Sequence, residues 1–125
     1  MLYFMIFIGA GLGGLLRVLV SDGIKTLLDT AFPYATLLVN ISGCFLMGLL
    51  VSTLLERPFS STYYFREVLA IGFLGGYTTF STFSIEALEL IMKQQWYSMA
   101  VYLSGHYILT IGCCALGYGL GKQFT

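Results

Sequence analysis

The sequence predicts a single-domain, all-α integral membrane protein with four transmembrane helices, the third of them broken near its middle. Hydrophobic residues make up 58% of the 125 residues and charged residues only 10%. A soluble domain usually carries about 25% charged residues to cover its surface. With a mean hydropathy of +0.86, this chain is suited to lipid as its solvent. The apolar runs do not alternate with period two, which argues against a membrane β-barrel.

Four apolar stretches are long enough to cross a bilayer, which takes about 20 residues. We predict helices over residues 2–28, 34–55, 68–92 and 97–120 of one domain that covers residues 1–125. Trp96 and Tyr97 stand where interfacial aromatic residues belong. Polar connections separate the helices, marked by Asp22, Lys25, Asp29 and Pro33 in the first, by residues 56–58, 60–62 and 66–67 in the second, and by residues 93–95 in the third.

The first predicted helix combines small residues with one basic residue. Gly9 and Gly13 are four residues apart, a spacing that lets two helix backbones approach closely. The same spacing recurs at Gly72/Gly76 and at Gly117/Gly121. We therefore expect glycine-mediated contacts between helices, with Arg17 near the end of the first one.

The second predicted helix carries three polar residues inside an apolar span, Thr36, Asn40 and Ser42. Polar groups at membrane depth are costly and tend to mark transport pathways. The Asn40 amide would either hydrogen-bond another helix or line a pore.

The third predicted helix contains Gly75 and Gly76, followed by alternating hydroxyl and aromatic residues. Each glycine weakens a helix by about 1 kcal/mol relative to alanine, and Thr or Ser side chains can bond the freed backbone groups. We predict a break from about Gly75 to Thr79, buried in protein or lining a water-filled cavity. The alternative is a bent helix whose hydroxyls bond its own carbonyls. Phe80 and Phe83 share one helical face beside the predicted break.

The fourth predicted helix places Tyr102, His106 and Thr110 at i, i+4 and i+8, and therefore on one face. This stripe would line a pore, or His106 would be a hydrogen-bonded core residue. The apolar spans contain hydrogen-bond donors without a fixed cationic charge: the Asn40 amide, the Thr, Ser and Tyr hydroxyls, and N–H groups at the predicted break. Such donors suit a small, strongly hydrated anion, because they can replace its water without trapping it. The ring edges of Phe80 and Phe83 add positive electrostatic potential. The chemistry alone indicates a pore for a small anion or polar solute.

Charge and composition exclude several other classes of protein. A net charge of zero argues against a nucleic-acid partner, since phosphate binding requires a basic surface. The residues contain no recognisable catalytic set, and one histidine with three scattered cysteines does not form a metal site. Cys44, Cys113 and Cys114 are expected to pack as small hydrophobic side chains.

The six basic residues divide evenly between the two sides of the predicted topology. Four spans place both termini and the second connection on the same side. The two sets are Arg57, Arg66 and Lys122 on that side, and Arg17, Lys25 and Lys93 on the other. A chain with one fixed orientation usually shows a bias. The tie favours insertion in both orientations and a two-fold symmetric antiparallel dimer, unless another factor such as helix hydrophobicity sets the orientation.

Three motifs together resemble the Fluc (CrcB) family of bacterial fluoride channels over essentially the whole chain. The most specific is GFLGGYTTFSTFS, from Gly72 to Ser84; GLGGLLR over residues 11–17 and TLLVNISGCF over residues 36–45 support it. Ala35 stands where the family often has glycine, and His106 and Thr110 where some members have serine. The resemblance implies passive fluoride export across the bacterial inner membrane, preventing toxic accumulation.

The resemblance also implies an antiparallel dual-topology homodimer with two pores, embedded in membrane lipid. Phe80 and Phe83 would line the fluoride positions with their ring edges. A structural Na⁺ at the dimer centre would be held by the carbonyls of Gly75 and Thr78. Arg17 would lie at the aqueous vestibule. The remaining implied pore residues are Thr36, Asn40, Ser81, Thr82, Glu86, Tyr102, His106 and Thr110.

A fluoride channel has two alternatives among functions of small membrane proteins. A small dual-topology multidrug exporter has a similar length and four helices, but it typically requires a membrane-embedded carboxylate in its first helix. Here that helix holds Arg17 and no acid before Asp22. A non-transporting membrane scaffold subunit would explain the packing glycines, but it would leave the threonine-phenylalanine run without a purpose.

Overall fold

A computed structural model of the chain describes residues 1–55 and 62–124. Helix α1 covers Leu2–Leu27, and α2 covers Tyr34–Leu50 before continuing as a π-helix over Val51–Leu55. The last long helix, α6, covers Trp96–Gly121 and ends in a 3₁₀ turn over Lys122–Phe124. Four helical segments are long and apolar enough to cross a membrane, which confirms the predicted all-α membrane fold. The predicted connection at residues 56–61 lies outside the described residues.

The third span is assembled from several helical pieces. Helix α3 covers Thr62–Glu67, a π-helix follows over Val68–Leu74, and α4 covers Gly75–Tyr77. After two non-helical residues, α5 covers Phe80–Met92. The predicted break is confirmed, and a merely bent helix is ruled out, because Thr78 and Thr79 both have extended backbone angles.

The start of the third span differs from the prediction. Helical structure is already present at Thr62, six residues before the predicted start at Val68. Arg66 and Glu67 were expected to lie in the connection, yet both are helical. Their side chains pair with each other at 3.2 Å. Arginine and glutamate are both good helix formers, so their polarity does not by itself end a helix.

Glycines allow close contact between two pairs of spans, as predicted. Gly9 and Gly13 of α1 face the first half of the third span, where a Cβ on Gly13 would overlap the Phe73 carbonyl and one on Gly76 would overlap Ala10. Helix α2 meets α6 in the same way through Gly48 and Gly117, and Gly121 lies against Ser52. These contacts set α2 between α6 and the break, which positions the polar residues of α2 beside Thr79.

The buried core is small and lies beside the break. It consists of Leu37, Phe83, Ala87, Leu90 and Tyr102, with Phe32, Ile41, Met99 and Leu103 packed around it. Much of the remaining apolar surface of α1 and α6 is exposed, including Phe4, Phe7, Ile108 and Ile111. Such extensive apolar exposure marks surfaces that contact lipid or another protein.

Candidate functional site

The break exposes backbone groups that a continuous helix would satisfy. Thr78 has φ −78° and ψ 157°, and Thr79 has φ −149° and ψ 122°. The carbonyls at the end of α4 therefore lose their donors, and the first N–H groups of α5 lose their acceptors. The Thr78 N–H and Oγ1 both bond the Leu74 carbonyl at 3.0 Å, which closes the last turn of the first half.

Asn40 of α2 bridges the break. Its Nδ2 donates to the Thr79 carbonyl, and its Oδ1 accepts from the Thr79 N–H, both at 2.9 Å. The side-chain amide thereby pairs with a whole peptide unit, and both residues are buried. Each unpaired buried polar group would cost about 1–3 kcal/mol. Of the two predicted roles for Asn40, a hydrogen bond to another span is confirmed.

The same amide also reaches α6. Asn40 Nδ2 lies 3.3 Å from His106 Nε2, and His106 Nδ1 lies 3.3 Å from the Tyr102 carbonyl. The imidazole packs on the ring of Phe83, with 4.2 Å between the ring centroids. His106 is therefore a buried, hydrogen-bonded residue that also faces the aromatic side chains of α5.

Glu86 of α5 accepts two hydroxyl hydrogen bonds. Thr36 Oγ1 donates to one carboxylate oxygen at 2.9 Å, and the Tyr102 hydroxyl donates to the other at 2.5 Å. Tyr102 is fully buried, and its ring lies 5.4 Å from the ring of Phe83. The carboxylate thus ties α2, α5 and α6 together at the predicted polar positions.

Three hydroxyl groups cluster at the start of α5. Thr79 Oγ1 accepts from the Thr82 N–H at 3.2 Å and lies within 3.2 Å of Ser81 Oγ and 3.0 Å of Thr82 Oγ1. The three hydroxyl groups have three hydrogens, but there are two oxygen–oxygen contacts among them, and each contact uses one hydrogen. At least one hydroxyl hydrogen in the cluster can therefore donate elsewhere. The positive end of the α5 dipole lies at the same place.

Two cavities meet at Thr79. The first, which we call the inner pocket, has a volume of about 200 Å³. It is lined by Asn40, Cys44, Thr78, Thr79, Phe80, Phe83, His106, Tyr107 and Thr110. The second, the outer pocket, has about 360 Å³ and is lined by Arg17, Val18, Ser21, Asp22, Lys25, Thr36, Val39, Thr79, Thr82 and Glu86. The described lining of the inner pocket contains no Lys, Arg, Asp or Glu, whereas four charged residues line the outer one.

Most residues predicted from the sequence lie in or beside these pockets. Phe80 and Phe83 have their ring centroids 5.4 Å apart, but Phe80 is 70% exposed while Phe83 is 4% exposed. Ser81 lines neither pocket and reaches the site through Thr79. Gly75 is exposed at the end of the first half of the third span.

Sequence reasoning missed Thr79, which lines both pockets and hydrogen-bonds Asn40, Ser81 and Thr82 at the break. Thr79 lies inside the GFLGGYTTFSTFS motif. A threonine hydroxyl three residues before the N–H group that it accepts from has the spacing of a helix N-cap, as Thr79 and Thr82 do. That spacing was the available signal. Cys44 and Tyr107 were also missed, because an apolar helix position gives no local sign that it faces a cavity.

The chain is similar in sequence to proteins of one family. Residues 4–118 match the family model described as CrcB-like protein, Camphor Resistance (CrcB). A Coxiella burnetii protein named fluoride-specific ion channel FluC is 43% identical over 117 residues, which cover 94% of this chain and 91% of the relative. Listeria innocua and Staphylococcus aureus proteins named fluoride-specific ion channel FluC 1 are each 40% identical, over 95% and 97% of this chain and 96% and 97% of their own lengths.

Proposed function

This chain belongs to the CrcB-like family, and on that premise we propose that it is a multi-pass membrane channel for fluoride. Its relatives are named fluoride-specific ion channels, and the chain aligns with them over nearly their full lengths. The observation in the chain that carries the proposal is the inner pocket, an uncharged cavity beside hydroxyl donors and a helix N-terminus. The multidrug exporter and scaffold alternatives find no support in these features.

The pockets suggest a path for the ion. Arg17 and Lys25 in the outer pocket would attract an anion from water, and Asp22 and Glu86 of the same lining would oppose this in part. Beyond them lie Thr79 and Thr82, whose hydroxyl donors would replace part of the hydration shell. The path would then enter the inner pocket, which is lined by Phe80 and Phe83, whose ring edges carry positive potential. No fixed cation of the described inner lining would hold the ion there, so it could leave as readily as it enters.

We further propose that the channel is an antiparallel dimer with two pores. Phe80 lines the inner pocket yet is largely exposed in a single chain, so that wall of the pocket is incomplete. Backbone left unpaired by a break is tolerated at membrane depth only where protein or a water-filled cavity covers it. A second copy covering the break would satisfy this requirement, and the even distribution of basic residues supports opposite insertion.

The break also supports a structural Na⁺ held by the carbonyls of Gly75 and Thr78. In a continuous helix the Thr79 N–H would bond Gly75 and the Thr82 N–H would bond Thr78. Here these donors go to Asn40 Oδ1 and Thr79 Oγ1 instead. Both carbonyls lack their helical partners, and half-helix C-termini with unwound carbonyls are suitable ligands for Na⁺. The ion would supply a fixed positive charge that stabilises these oxygens.

The test of function is ion efflux from liposomes that contain the purified chain, with valinomycin present so that K⁺ movement balances the charge. A fluoride electrode should report rapid fluoride efflux, while matched chloride-loaded liposomes should show almost none. Equal chloride efflux would contradict selectivity. Absence of both fluxes from well-reconstituted protein would contradict the channel itself and would favour the scaffold.

A further inference from the structure

We propose that His106 is a positioning residue, which as the neutral Nδ1–H tautomer accepts a hydrogen bond from Asn40 and so holds that amide across the break. The imidazole would hold the break through Asn40 and would not donate to the ion. In this network the Thr79 peptide has a fixed donor and a fixed acceptor, its N–H and its carbonyl.

The Thr79 peptide determines the orientation of the Asn40 amide. A backbone N–H can only donate, and a backbone carbonyl can only accept. Since the Thr79 N–H is 2.9 Å from one amide atom, that atom must be the oxygen. The atom 2.9 Å from the Thr79 carbonyl must be the nitrogen. Rotating the amide by 180° would place donor against donor and acceptor against acceptor.

The amide orientation in turn determines the histidine tautomer. Asn40 Nδ2 has two hydrogens, one of which goes to the Thr79 carbonyl. The same nitrogen lies 3.3 Å from His106 Nε2, so Nε2 must present its lone pair. A neutral imidazole then carries its proton on Nδ1. Nδ1 lies 3.3 Å from the Tyr102 carbonyl, which is the acceptor that such a proton requires.

The network leaves His106 no N–H group for an ion in the inner pocket. Its Nδ1–H is directed at its own helix, and its Nε2 lone pair receives the amide. Both Asn40 N–H bonds are likewise engaged, so the amide serves the backbone at the break. The Phe83 ring packs against the imidazole, with 4.2 Å between the ring centroids. The position of the imidazole is thereby coupled to Phe83 in the wall of the inner pocket.

The first experiment measures the tautomer directly and needs neither a substitution nor ion flux. The chain has a single histidine, so ¹⁵N labelling of histidine rings gives one pair of nitrogen signals from the unmodified protein in lipid bilayers at neutral pH. We expect the proton on Nδ1 and an unprotonated Nε2 that accepts a hydrogen bond. A proton on Nε2, or on both nitrogens, would overturn the proposal.

The second experiment rests on the proposed function, because it measures fluoride flux. A glutamine side chain can place an acceptor oxygen near the Nε2 position, whereas the shorter asparagine reaches only the Nδ1 position. We expect His106→Gln to retain most of the flux and His106→Asn to lose about tenfold or more, as for loss of a buried hydrogen bond. Equal flux in the two variants, or loss in both, would overturn the proposal.

The two experiments separate failure of this inference from failure of the function. If the unmodified chain conducts no fluoride, the channel assignment fails while the tautomer measurement still decides the role of His106. If the chain conducts fluoride but the ring carries its proton on Nε2, the positioning role fails while the channel assignment stands.

Discussion

At the residue scale, Thr79 shows how a helix can be interrupted inside a membrane. Its N–H and carbonyl are both satisfied by one Asn40 side chain, and its hydroxyl caps the following helix at the Thr82 N–H. One amide and one hydroxyl therefore replace hydrogen bonds that the helix would have made. Since there is little water at this depth to take their place, the side chains of both residues are needed.

Replacing Asn40 should destabilise the protein strongly. Leucine has a volume similar to that of asparagine, but Asn40→Leu leaves the N–H and carbonyl of Thr79 unpaired. Each unpaired group lowers the free energy of unfolding by about 1–3 kcal/mol. We expect a lower midpoint for thermal unfolding of the purified protein in detergent. Ser104→Ala is the control, because the exposed Ser104 hydroxyl bonds only carbonyls of its own helix. Equal midpoints for the two variants would contradict the bridging role.

Phe83 and Phe80 should control fluoride flux. Phe83 lines the inner pocket and packs on Phe80, Tyr102 and His106. Isoleucine keeps the apolar volume without a ring edge. We expect Phe83→Ile and Phe80→Ile each to lower fluoride efflux from liposomes by about tenfold, the upper range for loss of an aromatic contact. The oligomeric state on gel filtration should not change. Unchanged flux in both variants would contradict the assignment of these residues to the pore.

At the scale of elements, the two halves of the third span bring opposite helix ends together. The first half ends at Tyr77 and α5 begins at Phe80, so the carbonyl end of one helix and the N–H end of the other both lie at the break. The dipoles favour a cation at the first end and an anion at the second. α1 holds the first half through glycine contacts, while α2 holds the break through Asn40. The position of the break thus depends on both neighbouring helices.

The glycine contact of α1 can be tested with a matched pair of substitutions. A Cβ on Gly13 would overlap the Phe73 carbonyl, whereas a Cβ on Gly11 would meet no heavy atom of the described residues within 4 Å. We expect Gly13→Ala to destabilise the protein by about 1–3 kcal/mol. Gly11→Ala should be neutral or stabilise it by up to about 1 kcal/mol, because alanine is the better helix former. Thermal unfolding midpoints measure both, and a reversed order would contradict the observed packing.

At the scale of the whole molecule, a single chain leaves its functional site open on one side. Phe80 is exposed beside the break, and broad apolar surfaces of α1 and α6 face outward. The described residues enclose a small core beside the break, and Val39, Leu74 and Tyr77 are also buried. The proposed antiparallel dimer would complete the pocket wall, and lipid would cover the remaining apolar surface.

Removing Na⁺ should weaken the dimer if the carbonyls of Gly75 and Thr78 hold this ion. An ion that binds only the folded dimer stabilises it in proportion to the logarithm of its concentration once sites are mostly filled. We expect a lower thermal midpoint and more monomer on gel filtration when N-methylglucamine replaces Na⁺ at constant ionic strength. K⁺ replacement serves as the control for ion size. Identical stability in all three salts would contradict a structural Na⁺.

The sequence by itself determined the four spans, the break and the glycine contacts, since these depend on local features. Apolar length specifies a span, Gly75-Gly76 with the following hydroxyls weakens a helix, and i, i+4 glycines allow close approach. The helical start at Thr62 was missed because the polarity of Arg66 and Glu67 indicated a connection, whereas both are good helix formers and lie within α3.

Only the tertiary structure decided which groups meet at the break. Asn40 contacts residues 39 and 66 positions away in the sequence, and no local pattern specifies such pairings. The amide had two predicted roles; the packing of α2 beside Thr79 gives it the hydrogen bonds between spans and also places Asn40 in the lining of the inner pocket. The same packing placed Thr79 between two pockets and His106 against Asn40, because buried polar groups must find partners wherever the fold brings them together.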